Sequence, residues 1–170
     1  RVPPAGIRGT ARAYHGFGRI LDYTVPEQTR LGDFPGGLKD LATELPEVRA
    51  ELIDAYTRWV ELADLDGFRI DTVKHVEHDF WTQFATTVRD RLSKEGKNNF
   101  LMFGEAFDGN DQLLGSYTQP GMLDSVFYFS QHYQVFRDVF ENAHDPTQQK
   151  GTDQIESLWK QRSVDYNTQQ

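Results

Sequence analysis

The run Gly67-Phe-Arg-Ile-Asp-Thr-Val-Lys-His75 limits the possible folds more than any other stretch of the sequence. Apolar alternation over Phe68, Ile70 and Thr72 predicts a short strand, because residues i and i+2 of a strand share a face. The other face carries Arg69 and Asp71, with Lys74 and His75 just past the strand's end. Opposite charges on a largely buried strand are costly unless they satisfy each other or do chemistry. An Arg-x-Asp alone is an ordinary structural ion pair; what surrounds it here makes it a candidate site.

Helical patterns flank this strand on both sides. Upstream, Thr43 or Leu45 is positioned to cap a helix with Pro46 in its first turn, where a missing N–H costs nothing. Val48, Leu52, Ala55, Tyr56, Trp59, Val60 and Ala63 then recur at helical spacing and predict an apolar stripe packed on a sheet. Downstream, a second helix is expected over about 78–94, with Trp81, Phe84, Val88 and Leu92 inward and Gly96 stopping it. Phe100 to Phe103 form a continuous apolar run, the mark of a parallel strand covered on both sides, within a strand expected over 99–104. A third strand is expected over 124–129. A helix follows from Gln131 to Ala143 with Tyr133, Phe136, Val139 and Phe140 inward, then a short helix near Ile155 to Gln161. This alternation favours an α/β fold with a parallel sheet.

Composition narrows the function. A net charge of −8 and a pI near 5.0 argue against nucleic acid, which demands clustered Lys and Arg. No apolar run approaches the roughly 20 residues of a membrane-spanning helix. The absence of cysteine excludes disulfides and thiolate-bound metal. Aromatic residues are plentiful at 13%, and sugar rings stack on aromatic faces, although most of these side chains fall at core spacing.

Gly67 to His75 resembles the strand-four signature of the alpha-amylase family of glycoside hydrolases, and Phe103-Gly104-Glu105 resembles its strand-five signature. Leu38-Lys-Asp-Leu-Ala42 is a weaker match to a segment preceding the helix that leads into strand four. The likeness runs roughly from Tyr14 to Tyr133. It implies part of a TIM (β/α)8 barrel, about strands four to six with flanking helices. A full barrel needs about 250 residues against the 170 here, so the chain reads as an internal piece of a larger enzyme. On this reading residues 1–37 end an inserted loop-rich subdomain and 38–170 form the partial barrel. The family's motifs at strands three and seven have no counterpart in the sequence; His144-Asp145 is the nearest echo of the latter.

Cleaving an acetal requires one carboxylate to attack the anomeric carbon and one protonated carboxyl to release the leaving oxygen. Neighbouring parallel strands lie about 4.8 Å apart, so carboxyls at their tips can approach the roughly 5 Å separation of a retaining enzyme. The resemblance implies Asp71 as nucleophile and Glu105 as acid/base. Arg69 would hold Asp71 as the anion, while Glu105 would keep its proton among apolar neighbours such as Met102 and Phe103. The resemblance further implies that Lys74 and His75 contact substrate, an α-glucan oligosaccharide or polysaccharide. It also implies a structural calcium bound through Asp40 and the His75 carbonyl, and a secreted or periplasmic enzyme. Hydrolysis of starch-like α-glucans is the leading expectation. Transglycosylation by the same carboxylates is the alternative, and a non-catalytic binding relative is a third.

Overall fold

The computed structural model describes residue 6 and residues 9–145 and 147–166. The remaining residues, at the start of the expected 1–37 subdomain and within and at the end of the expected 38–170 partial barrel, lie outside the described residues. Among the described residues, six α-helical segments and three strands alternate along the chain: α1 (Pro26–Leu31), α2 (Pro46–Ala63), β1 (Gly67–Ile70), α3 (His78–Lys94), β2 (Leu101–Gly104), α4 (Asp111–Ser116), β3 (Ser125–Val126), α5 (Phe129–Gln131) and α6 (Asp153–Asp165). A 3-10 turn over Val73–His75 joins β1 to α3, and a π-helix over His132–Phe140 continues α5.

The three strands form one parallel sheet in the order β1-β2-β3. Gly67 pairs with Leu101 and Ile70 with Gly104, so the two motif strands run level and end together. This is the βα rhythm expected from sequence, and the sheet is the parallel portion of an α/β barrel. Each strand is nonetheless shorter than predicted. β1 stops at Ile70 because Thr72 adopts a left-handed backbone (φ 59°), which turns the chain out of the sheet. That turn drives Val73 back into the core, where it is fully buried, and removes Thr72 from the strand face assigned to it by period two. β3 is likewise confined to two residues.

The two faces of the sheet differ. Phe68, Ile70 and Met102 pack against α2 and α3 in a cluster that includes Val48, Leu52, Val60, Phe80, Phe84, Val88 and Leu92. Leu101, on the other face, is 53% exposed. The apolar run at Phe100–Phe103 predicts cover on both sides; among the described residues only the helix side is covered. The bare side corresponds to a barrel's interior, which is filled by side chains from strands across the barrel.

α3 supplies the densest packing. Trp81, Phe84, Val88 and Leu92 are buried, as predicted, and Phe80 joins them; each contributes about 1.5–3 kcal/mol by leaving water. Gly96, with φ 87°, ends the turn after α3 in a conformation that favours glycine. In α2 the buried stripe is Val48, Leu52, Ile53, Thr57 and Val60, while Trp59 is 61% exposed, contrary to the predicted stripe. Leu45 is the N-cap by position and has no side-chain cap bond; Thr43 instead donates its hydroxyl to Glu77. The π-helix buries Val135 and Val139 and leaves Phe136 and Phe140 exposed. Its wider turn shifts the side chains out of phase with the α-helical spacing that predicts Phe136 and Phe140 inward.

Gly104, at the tip of β2, has no room for a side chain: a Cβ there would lie 2.6 Å from Leu123 Cδ1 and 2.8 Å from Val73 Cγ2. Gly104→Ala should therefore destabilise the fold by about 1–3 kcal/mol through overpacking. Chemical denaturation of the two proteins side by side checks this. An unchanged midpoint would mean that Val73 and Leu123 yield freely.

Candidate active site

The sheet register places the two acidic residues. Ile70 and Gly104 are partners, so Asp71 and Glu105 are the first residues beyond each strand, at neighbouring tips. Two backbone bonds fix the crossing: Glu105 N–H donates to Ile70 O (2.7 Å) and Val73 N–H donates to Glu105 O (3.0 Å). Arg69 lies one pleat behind on the open face. Its guanidinium reaches both acids, with Nη1 3.2 Å from Asp71 Oδ2 and Nη2 hydrogen-bonded to Glu105 Oε2. The Asp71 carboxylate is well exposed and the Glu105 carboxylate only partly so. The structure thus brings together Arg69, Asp71 and Glu105. The expectation of an apolar setting for Glu105 is corrected: Met102 is fully buried on the helix side, and the carboxylate meets a guanidinium.

Lys74 and His75 part company. Lys74 points into a cleft of about 1230 Å³ bounded by Tyr23, Arg30, His78, Phe107, Tyr117 and Tyr133, among others. Two of its lining residues, Lys74 and Phe107, follow Asp71 and Glu105 closely in sequence, while neither acid lines the cleft itself. His75 is 8% exposed and does not line it. Its Nδ1–H donates to Thr29 O (2.6 Å), and Phe34 and Tyr23 pack on the ring, so the side chain braces α1 against the 3-10 turn. Burial lowers the basicity of this imidazole, which favours the neutral ring. The His75 side chain, expected at the substrate, is thus turned towards Thr29 and away from the cleft lining.

Asp40 lies in a different polar cluster. His15 Nδ1 is 2.5 Å from Asp40 Oδ2, and His15 Nε2 is 2.9 Å from Glu44 Oε2. Burial pushes the Asp40 carboxyl up to about 6 despite the neighbouring imidazole. Burial also opposes charge on His15, yet its hydrogen bonds to Asp40 and Glu44 prevail and raise it above its usual value. Calcium takes six to eight oxygen ligands, and Asp40 with the His75 carbonyl offers two. Among the described residues no three His, Asp or Glu side chains gather around a possible metal position. These two donors alone fall short of a calcium shell.

Sequence reasoning missed the cleft walls. Tyr23, Phe107, Tyr117 and Tyr133 come from four separate stretches, and no periodicity links them. The available signal was the exposure-prone setting of Phe107, one residue from the Asp108-Gly-Asn-Asp111 turn. His78 was also missed: its ring stacks on Tyr117 (4.5 Å between centroids, 8° between planes) and bonds Ser116 Oγ at 2.7 Å.

Residues 23–166 match the alpha amylase catalytic domain family. An alpha-amylase of Streptomyces lividans is 47% identical over 103 residues, covering 61% of this chain and 11% of that protein. Alpha-amylase 1 of Lipomyces kononenkoae is 36% identical over 129 residues, covering 72% of this chain and 18% of that protein. The chain therefore spans less than a fifth of either relative's length. Among solved structures, the alpha-amylase of Geobacillus thermoleovorans complexed with acarbose superposes with a TM-score of 0.73 at 27% identity, over 92% of this chain and 32% of that one.

Burial lowers the His78 imidazole below its usual value. Protonation then favours the unfolded chain, so this histidine leaves stability untouched above about pH 6.5 and erodes it as pH falls below that value. In an NMR titration the His78 ring should show a midpoint below 6.5, and His78→Gln should weaken the acid-side loss of stability. A midpoint above 6.5 would contradict the placement of the ring.

Proposed function

The chain belongs to the alpha amylase catalytic domain family, and from that we propose that it carries two catalytic carboxylates of a retaining hydrolase acting on starch-like α-glucans. The observation that carries the reading is the Arg69 guanidinium shared by Asp71 and Glu105 at adjacent, level strand tips. In the first step Asp71 attacks the anomeric carbon while Glu105 gives its proton to the departing glycosidic oxygen. A glycosyl ester of Asp71 forms and the leaving sugar departs with a hydroxyl. In the second step Glu105, now a carboxylate, takes a proton from water, whose oxygen displaces Asp71 with overall retention. Arg69 aims Asp71 through its ion pair, and it balances the charge that Glu105 acquires midway.

Water and a sugar hydroxyl compete for the same ester, and the acceptor decides between hydrolysis and transglycosylation. The full-length enzyme, given a defined maltooligosaccharide in heavy-oxygen water, should yield short products carrying the label. Unlabelled longer or cyclic products would replace hydrolysis with transfer. Asp71→Asn should retain the fold and lose at least about 10³-fold in turnover, since it removes the nucleophile. Full activity in that variant would refute the assignment.

Calcium belongs to the proposal as a structural ion only, with Asp40 and the His75 carbonyl as two of its oxygens. No step of the chemistry passes through it. A chelator should lower the melting temperature of the full-length protein and leave Asp40→Ala unaffected; an indifferent wild type would remove calcium from the reading.

A further inference from the structure

The residue after Asp71 has an uncommon backbone. Thr72 lies in the left-handed region, with φ 59° and ψ 29°, and Asp64 is the other non-glycine residue with positive φ among the described residues. Aspartate reaches that region readily, whereas a β-branched side chain there is an outlier that its surroundings must hold in place. The next residue supplies the hold. Val73 is fully buried, its N–H donates to Glu105 O (3.0 Å), and its carbonyl accepts from Trp81 Nε1–H (3.0 Å) and from Val76 N–H (3.3 Å). Trp81, in the first turn of α3, is 5% exposed, and its ring stands edge-on to Phe80 and Phe84 at 5.0 and 6.1 Å. The indole therefore has a fixed direction. Val73 in turn ties the acids together, through its N–H to the main chain of Glu105 and through Thr72 to Asp71.

We propose that Trp81 is a positioning residue for the acid pair: its indole N–H clamps the left-handed turn at Thr72 and Val73, and so sets the Asp71 carboxylate relative to Glu105. The inference rests on the retaining-glycosidase reading above, in which both carboxylates serve one anomeric carbon. Asp71 and Val73 lie on either side of Thr72, so backbone rotation at Thr72 swings the nucleophile relative to the strand that carries the acid/base. A misplacement of about 1 Å at a reacting group costs on the order of a hundredfold in rate, which gives a single buried hydrogen bond its leverage here.

The test uses the full-length enzyme and a defined maltooligosaccharide. Trp81→Phe removes the donor and should lower kcat about tenfold, near the worth of one buried hydrogen bond, with KM almost unchanged. Thr72→Asn puts into the turn a residue that adopts the left-handed region readily, and in the Trp81→Phe background it should recover most of the lost kcat. A role confined to stability gives a different pattern: a lower melting temperature, unchanged kcat per folded molecule, and no effect of Thr72→Asn on kcat. That pattern overturns the proposal, as does a loss of kcat that Thr72→Asn leaves in place. Should Trp81→Phe fail to fold, the benzothiophene analogue of tryptophan at position 81 keeps the ring's shape and removes only the donor, and the same outcomes decide. Amide hydrogen exchange over 72–76, followed by mass spectrometry, reads the clamp irrespective of activity. It should quicken in Trp81→Phe and slow again when Thr72→Asn is added. Unchanged exchange overturns the clamp, whereas quickened exchange in a full-length protein that cleaves no α-glucan refutes the glycosidase reading and leaves the clamp standing.

Discussion

The arrangement depends on a pair of backbone hydrogen bonds across two strand tips. Ile70 O receives Glu105 N–H, and Glu105 O receives Val73 N–H, so β1 and β2 cannot slide past each other beyond their last paired residues. A shift of one residue in a parallel sheet would send every side chain of a strand to the opposite face. Asp71 and Glu105 would then no longer share the open side with Arg69. The level ending of the two strands is thus a condition for the chemistry, and it is enforced by the main chain before any side chain takes part.

The second bond also commits the chain to its turn. Thr72 accepts a left-handed backbone, and Val73 and Trp81 hold it there: Val73 is fully buried above Gly104, and Trp81 Nε1–H donates to Val73 O at 3.0 Å. The start of α3 is tied down in turn by Glu77, which accepts from Thr43 and pairs with Arg49. Apolar burial on the helix side therefore supports a polar, open face on the other. Arg89 performs the same service for β3, bonding Met122 O and Asp124 while Asp124 accepts from Met102 N–H.

The cleft has a different construction. α1 and the loop before it form one wall, and the loops after β2, together with the π-helix, form the other. His75 locks the first wall by its bond to Thr29 O, and Lys74 locks the second by its bond to Phe107 O. Two consecutive residues of one motif thus brace opposite walls. As a string of letters they resemble two ligands for one substrate.

Much of this was legible in the residues. The apolar period of α3, the run ending at Phe103 and the charged pair beside Ile70 announced strand, helix and strand, because burial imposes its own spacing on any chain that folds this way. The Arg-Ile-Asp and Gly-Glu motifs named the acidic pair through their resemblance to the family's strand-end signatures. The ends of the strands, the phase of the π-helix, the exposure of Trp59, Phe136 and Phe140, and the differing fates of Lys74 and His75 were not legible. Each depends on what lies opposite: the direction of His75 is set by Thr29 O, and that of Lys74 by Phe107 and Asp108. The sequence by itself determined which residues could be elements and which could be acids, through local spacing. The tertiary structure alone decided which of them face one another, because those partners are distant in the chain and meet only when the sheet is formed.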